Sequence, residues 1–290
     1  MTKILKLSNP IQLLLSALTY TLGAGIAHYL GKSIHAASFL LGLLAVLSLI
    51  GAAPLLSEYF RLPIVPLEKG ELSLTHEKYR VMLLQVSYAA LAFSGVVILT
   101  MLLTQILDLS AGIIFILAFL FLMAYSLPPF RVSETGFGEL VMAVTLGTLV
   151  PALAFLLQYG QMHRLLSFVT FPLTLLAVAY LLIYNFPTFA TDQKLRRHTL
   201  LTRLTWQRAI PIHHILVFAA FLLFAAAPIL EIPWVLVWPV FLGLPIATIQ
   251  IIWLQHIANG GRTLWTFLTT LASATVGLTA YLLALTFWTR

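Results

Sequence analysis

Nine stretches of this chain run for 22 residues or more without Asp, Glu, Lys or Arg: 7–31, 33–57, 81–107, 109–130, 140–163, 165–191, 209–230, 232–261 and 263–289. About 20 apolar residues in a helix cross the hydrocarbon of a bilayer, so each stretch is long enough to span it. Only helices and closed barrels satisfy every backbone group inside lipid, and runs this long and unbroken lack the alternation of barrel strands. The chain therefore reads as all-α and polytopic, one integral membrane domain over 1–290. Nine crossings put the termini on opposite sides.

The charges between the stretches are lopsided. With the N-terminus in the cytoplasm, that side holds Lys3, Lys6, Arg61, Lys69, Lys78, Arg80, Arg131, Lys194, Arg196, Arg197, Arg203, Arg208 and Arg262. The other side holds Lys32, Arg164 and Arg290. This distribution obeys the positive-inside rule and predicts a multi-pass protein of the cell membrane with its C-terminus outside. A pI near 9.8 then needs no nucleic acid to explain it, because basic residues flanking spans set orientation and meet anionic headgroups. The absence of cysteine excludes disulfides and thiolate chemistry. The first apolar run is too long for a signal-peptide core and reads as a first transmembrane helix.

Helices are expected at about 10–30, 34–57, 81–107, 109–127, 138–158, 165–187, 210–229, 233–255 and 264–287. The polar segments follow helices 2, 4, 6 and 8, all on one side: 57–80, 126–139 and 190–208 are the longest, while the opposite turns are brief. This asymmetry places any pocket at the cytoplasmic end. Small residues inside the runs, Gly23, Gly42 and Gly147 among them, predict close helix approaches. Adjacent His213 and His214 point in different directions on a helix and make a poor metal pair.

The segment after the sixth run carries the most specific pattern. It holds Asn185, Thr188, Asp192, Lys194, Thr199, Leu200, Arg203 and Leu204. In register, it resembles the second aspartate motif of the UbiA superfamily of intramembrane prenyltransferases, with Thr188 standing where that family has its first aspartate. Ser57-Glu58-Tyr59-Phe60-Arg61, followed by Pro66-Leu67-Glu68-Lys69-Gly70-Glu71-Leu72-Ser73, is similar to the family's first motif, with Glu58 for one aspartate and Arg61 for the other. Tyr125-Ser-Leu-Pro-Pro-Phe and Gly136-Phe-Gly138-Glu139 resemble its tyrosine–proline stretch and the start of its fifth helix.

The resemblance implies nine helices enclosing a central cavity. It also implies transfer of an isoprenyl group from a polyprenyl diphosphate to an aromatic, quinone-precursor-like acceptor or a lipid alcohol. Mg²⁺ would bridge diphosphate to Glu58 and Asp192, the two catalytic and metal-binding acids. Arg61, Tyr125, Asn185, Thr188, Lys194 and Arg203 would form the substrate-binding set. Arg196 and Arg197 read as loop-orienting charges, and Glu139 as lining the cavity or capping helix 5. Two acids are poor support for a multi-metal cluster, because Mg²⁺ takes six oxygens. The alternative is a retuned or non-catalytic protein that binds isoprenoid or lipid in the same cavity. A transporter is a third reading, weakened by the lack of internal repeats and of charges within the spans.

Overall fold

The structure, a computed structural model, describes residues 8–60 and 73–290. Arg61 and the stretch beginning at Pro66, both singled out above, lie outside the described residues apart from the backbone of Ser73. Among the described residues nine helices are long and apolar enough to cross a membrane. In chain order the helices are α1 (Pro10–Tyr29), α2 (Ala36–Tyr59), α3 (Ser73–Leu103), α4 (Leu109–Ser126), α5 (Gly138–Tyr159), α6 (Arg164–Tyr184), a short α7 (Phe189–Lys194), α8 (Leu200–Ala225), α9 (Trp234–Ala258) and α10 (Trp265–Thr289).

Burial sorts these helices into a centre and a periphery. α5, α6 and α1 are buried over 78%, 67% and 61% of their most apolar window, whereas α3 and α4 reach only 22%. The central three pack backbone to backbone. A Cβ on Gly23 of α1 would overlap the Pro151 carbonyl of α5, and one on Gly147 of α5 would strike the backbone of Thr174 of α6. In lipid no hydrophobic drive presses helices together, so this close packing and short hydrogen bonds must do so. One such bond joins Thr148 and Thr174 hydroxyls at 2.7 Å.

Proline shapes the same helix. Pro151 cannot donate to the carbonyl four residues back and its ring crowds that turn. The helix widens there into a π turn over Thr145–Leu149, with Val150 N–H reaching back to the Thr145 carbonyl. Pro239 has a comparable effect in α9, whose middle tightens into a 3-10 stretch over Trp238–Gly243. Between α2, α4 and α5 lies an apolar pocket of about 10 Å³, lined by Leu49, Phe115, Leu122 and Leu149 among others. That is room for about one water molecule; an isoprenyl tail entering here must displace side chains.

The structure departs from the sequence reading at two polar segments. α3 begins at Ser73 rather than near 81, its first turns carrying Glu77, Lys78 and Arg80. The stretch 190–208, read as a loop, is mostly helical, containing α7 and the start of α8. α8 is broken at Thr205, which sits at φ 65 and ψ 159. That region of backbone space is costly for a β-branched residue. The break turns Trp206 into an aromatic cluster with Phe186, Phe189 and Trp265.

Candidate functional site

The polar ends of α5, α6, α7 and α8 meet in a closed ring of hydrogen bonds. Glu139 stands in the first turn of α5. Its Oε1 accepts from Asn185 Nδ2 at the end of α6 and from Leu200 N–H at the start of α8, the latter at 3.1 Å. Asn185 opens a turn whose Thr188 hydroxyl donates to Asp192 Oδ2 at 2.7 Å and lies 3.2 Å from the Asn185 carbonyl. Asp192 Oδ1 pairs with Arg197 Nη1 at 3.3 Å, and Arg197 N–H returns to the Asp192 carbonyl at 2.8 Å. The Arg197 carbonyl lies 3.0 Å from the Thr202 hydroxyl. Thr202 and Thr199 form a reciprocal capping box that starts α8 and returns to Leu200.

The ring explains the burial of an acid. Asp192 is only 3% exposed, and a buried carboxylate is tolerable when donors and a cation surround it. One atom stays unanswered. Glu139 Oε2 is buried and has no hydrogen-bond partner among the described residues. Such an atom either has a function or costs stability.

The loop from α4 to α5 ties this ring to the end of α2. Ser133 and Ser57, the latter adjacent to Glu58, share a hydrogen bond of 2.9 Å. Thr135 forms a single parallel bridge with His198. Arg203 lies over the Phe137 ring, 4.5 Å from its centre, and Gly136, at φ 82, leaves the space its side chain fills. Tyr125 ends α4 with its ring against Gly138. Arg80 donates to the Tyr59 carbonyl at 3.2 Å and stacks on the Tyr59 ring, closing the last turn of α2.

Each expected residue can now be placed. Asn185, Thr188 and Asp192 come together in the ring. Lys194 and Arg203 are exposed beside it, and Tyr125 packs on the adjoining loop. Glu58 lies in the last turn of α2, joined to this end through its neighbour Ser57. Arg61 is outside the described residues. Two contributors read differently from sequence. Arg197, taken as an orienting charge, is the ion-pair partner of Asp192. Glu139, taken as a cap or cavity residue, holds α6 and α8 together. The Thr199-x-x-Thr202 spacing was the available signal for the start of α8.

The sequence matches no known protein-family model and no curated protein. Solved structures do resemble it along its whole length. A UbiA homologue from Archaeoglobus fulgidus bound to GPP and Mg²⁺ superposes with a TM-score of 0.68 at 15% identity, covering 99% of this chain and 100% of that one. A digeranylgeranylglyceryl phosphate synthase gives 0.61 at 14% identity, covering 100% and 99%. The Archaeoglobus homologue bound to DMAPP and Mg²⁺ gives 0.60 at 16% identity, covering 97% and 99%. The chain has the all-α, polytopic fold of these UbiA-homologue structures.

Proposed function

We propose that this protein transfers an isoprenyl group from an isoprenyl diphosphate to an acceptor within the membrane, an aromatic ring or a lipid alcohol. The C1–O bond of the donor breaks and diphosphate leaves with the electron pair. An electron pair of the acceptor closes onto C1, and the acceptor loses a proton. The observation that carries this reading is the closed ring at one end of a UbiA-like bundle, with Lys194 and Arg203 exposed at its edge. The binding of GPP and DMAPP by similarly folded proteins supports it. The charge distribution supports placing this end in the cytoplasm.

Mg²⁺ accompanies the diphosphates in those structures, but the donors described here do not fit a bridging metal cluster. No group of three or more His, Asp or Glu side chains comes together among the described residues. Both oxygens of Asp192 are engaged, one by a guanidinium that repels a divalent cation. The pairing of Glu58 with Asp192 as metal ligands is therefore replaced in our reading. Asp192 orients Arg197 and shapes the turn that presents Lys194, while Lys194, Arg203 and Arg61 meet diphosphate directly, as charge-assisted donors do. Glu58, with Tyr125, belongs to the facing wall. Glu139 Oε2 is the atom we assign to receive the acceptor's proton.

Binding of a thio-analogue of geranyl diphosphate to the protein in nanodiscs, with Mg²⁺ and with chelator, tests the binding half. Binding that survives chelation and weakens in Arg203→Ala is expected. Strict dependence on Mg²⁺ would restore Glu58 and Asp192 as a metal pair. A second reading, isoprenoid binding without transfer, is favoured by the threonine at 188 and the arginine at 61. Radiolabelled donor incubated with membrane lipids separates the two: a prenylated product is expected, and binding without product would establish the second.

A further inference from the structure

Thr205 is the residue inside α8 whose dihedrals are not helical, at φ 65 and ψ 159. That region is essentially reserved to glycine, and a β-branched side chain makes it costlier. Such a conformation persists only where the structure on both sides imposes it. Both sides of Thr205 are pinned. Ahead of it, Glu139 holds Leu200 N–H, and the Thr202 hydroxyl lies 3.0 Å from the Arg197 carbonyl. Behind it, Trp206 stands edge-on against Phe186 and Trp265. About two turns further on, the buried side chains of His213 and Gln250 of α9 share a hydrogen bond of 2.7 Å. The Thr275 hydroxyl of α10 donates to Gln250 at 2.8 Å. Polar ties of this kind hold helices together in lipid, so the span is not free to turn and unload the joint.

A charge sits next to the strain. Arg203, two residues ahead, is exposed. Its guanidinium makes no hydrogen bond or ion pair among the described residues and rests over the Phe137 ring, 4.5 Å from its centre. Its stem occupies the room that Gly136 leaves, since a Cβ there would come within 2.5 Å of Arg203 Cδ. An exposed ring face is a weaker partner for a guanidinium than an anion that accepts its hydrogen bonds. The ligand-free arrangement is thus strained at Thr205 and under-satisfied at Arg203, within one turn of each other.

We propose that Thr205 is a positioning residue for Arg203, a strained joint that relaxes when diphosphate draws the guanidinium off Phe137. The proposal rests on the reading that Arg203 meets diphosphate. Strain present in the ligand-free protein and released in the complex adds to affinity, because a ligand gains from whatever distinguishes the two states. Glycine adopts φ 65 and ψ 159 readily. Thr205→Gly therefore takes the strain out of the ligand-free state and leaves nothing for binding to release.

The test measures stability and affinity on the same full-length variants. Unfolding is followed in mild detergent, and binding of the thio-analogue of geranyl diphosphate is titrated in nanodiscs. We expect Thr205→Gly to be more stable than the wild type and yet to bind the analogue about tenfold more weakly. A merely structural role would move both quantities the same way. Gln207→Gly is the control, since Gln207 is exposed and helical. It adds the same backbone freedom with no strain to remove, so it should lose stability and bind like the wild type. Thr205→Gly binding as tightly as the wild type, or losing stability as Gln207→Gly does, would overturn the proposal. Equal weakening of binding in both variants would overturn it as well. A wild type that binds no analogue would overturn it together with the reading it rests on, an outcome distinct from the others.

Discussion

Asp192 and Asp108 both sit just beyond the end of a membrane-spanning helix, and the fold treats them in opposite ways. Asp192 is buried, with Thr188 and Arg197 on its two oxygens and a capping box completing the circuit. Asp108 begins α4 without capping it and faces outward. A carboxylate removed from water must be met by donors, so four elements are shaped around the first. The second keeps its hydration and shapes nothing. Where a membrane protein spends backbone and side chains on enclosing charge, that charge belongs to the permanent machinery.

Removing Arg197 attacks this contrast most directly. Arg197→Ala removes the guanidinium from the buried Asp192 and is expected to cost about 3 kcal/mol of stability, read from unfolding in mild detergent. Adding Asp192→Asn to it should recover most of that loss. Glu139→Leu strands the Asn185 amide and the Leu200 N–H, and two unmet donors cost roughly 2–3 kcal/mol. Glu139→Gln keeps an acceptor for them, so it should fold like the wild type and still lose product formation. Activity retained in Glu139→Gln would remove the proton-accepting role.

A smaller effect is expected outside the ring. Arg203→Ala should weaken diphosphate binding by about tenfold, the scale of one charge-assisted hydrogen bond, with stability nearly unchanged because Phe137 loses only a stacked cation. The smallest belongs to the open end. Asp108→Asn should move stability in detergent by less than about 0.5 kcal/mol, as surface changes do. Comparable losses in Arg197→Ala and Asp108→Asn would break the comparison between the two ends.

The nine spans and the polar end were legible because charge exclusion acts over 20 or more residues and is read directly from sequence. The 185–204 segment was recognisable for a different reason, its residues matching a motif position by position. The pairing of Asp192 with Arg197 was not legible. Five positions apart, they do not share a helix face, and only the turn through Arg196, at φ 52, brings them together. Glu139 meets Leu200 across 61 positions, a contact fixed by how α5 and α8 pack and invisible to any local pattern. Helix starts at Ser73 and Leu200 were hidden by charges that broke the apolar runs without breaking the helices. The tightness between α2, α4 and α5 depends on rotamers, and composition carries no volume.

The break at Thr205 has a consequence for how this family of shapes can diversify. In an unbroken helix every residue inserted or removed turns all that follows by about 100°, so a change in the active-end hairpin would rotate the lipid-facing side of α8 into the bundle. With the helical phase interrupted at Thr205, and Trp206 fixed among Phe186, Phe189 and Trp265, the register of the span is set afresh from that point. Changes of side chain ahead of the break therefore leave the orientation of the membrane-embedded remainder as it is. Thr188, standing where the resembling motif has an acid, lies ahead of the break, where its hydroxyl serves the buried Asp192.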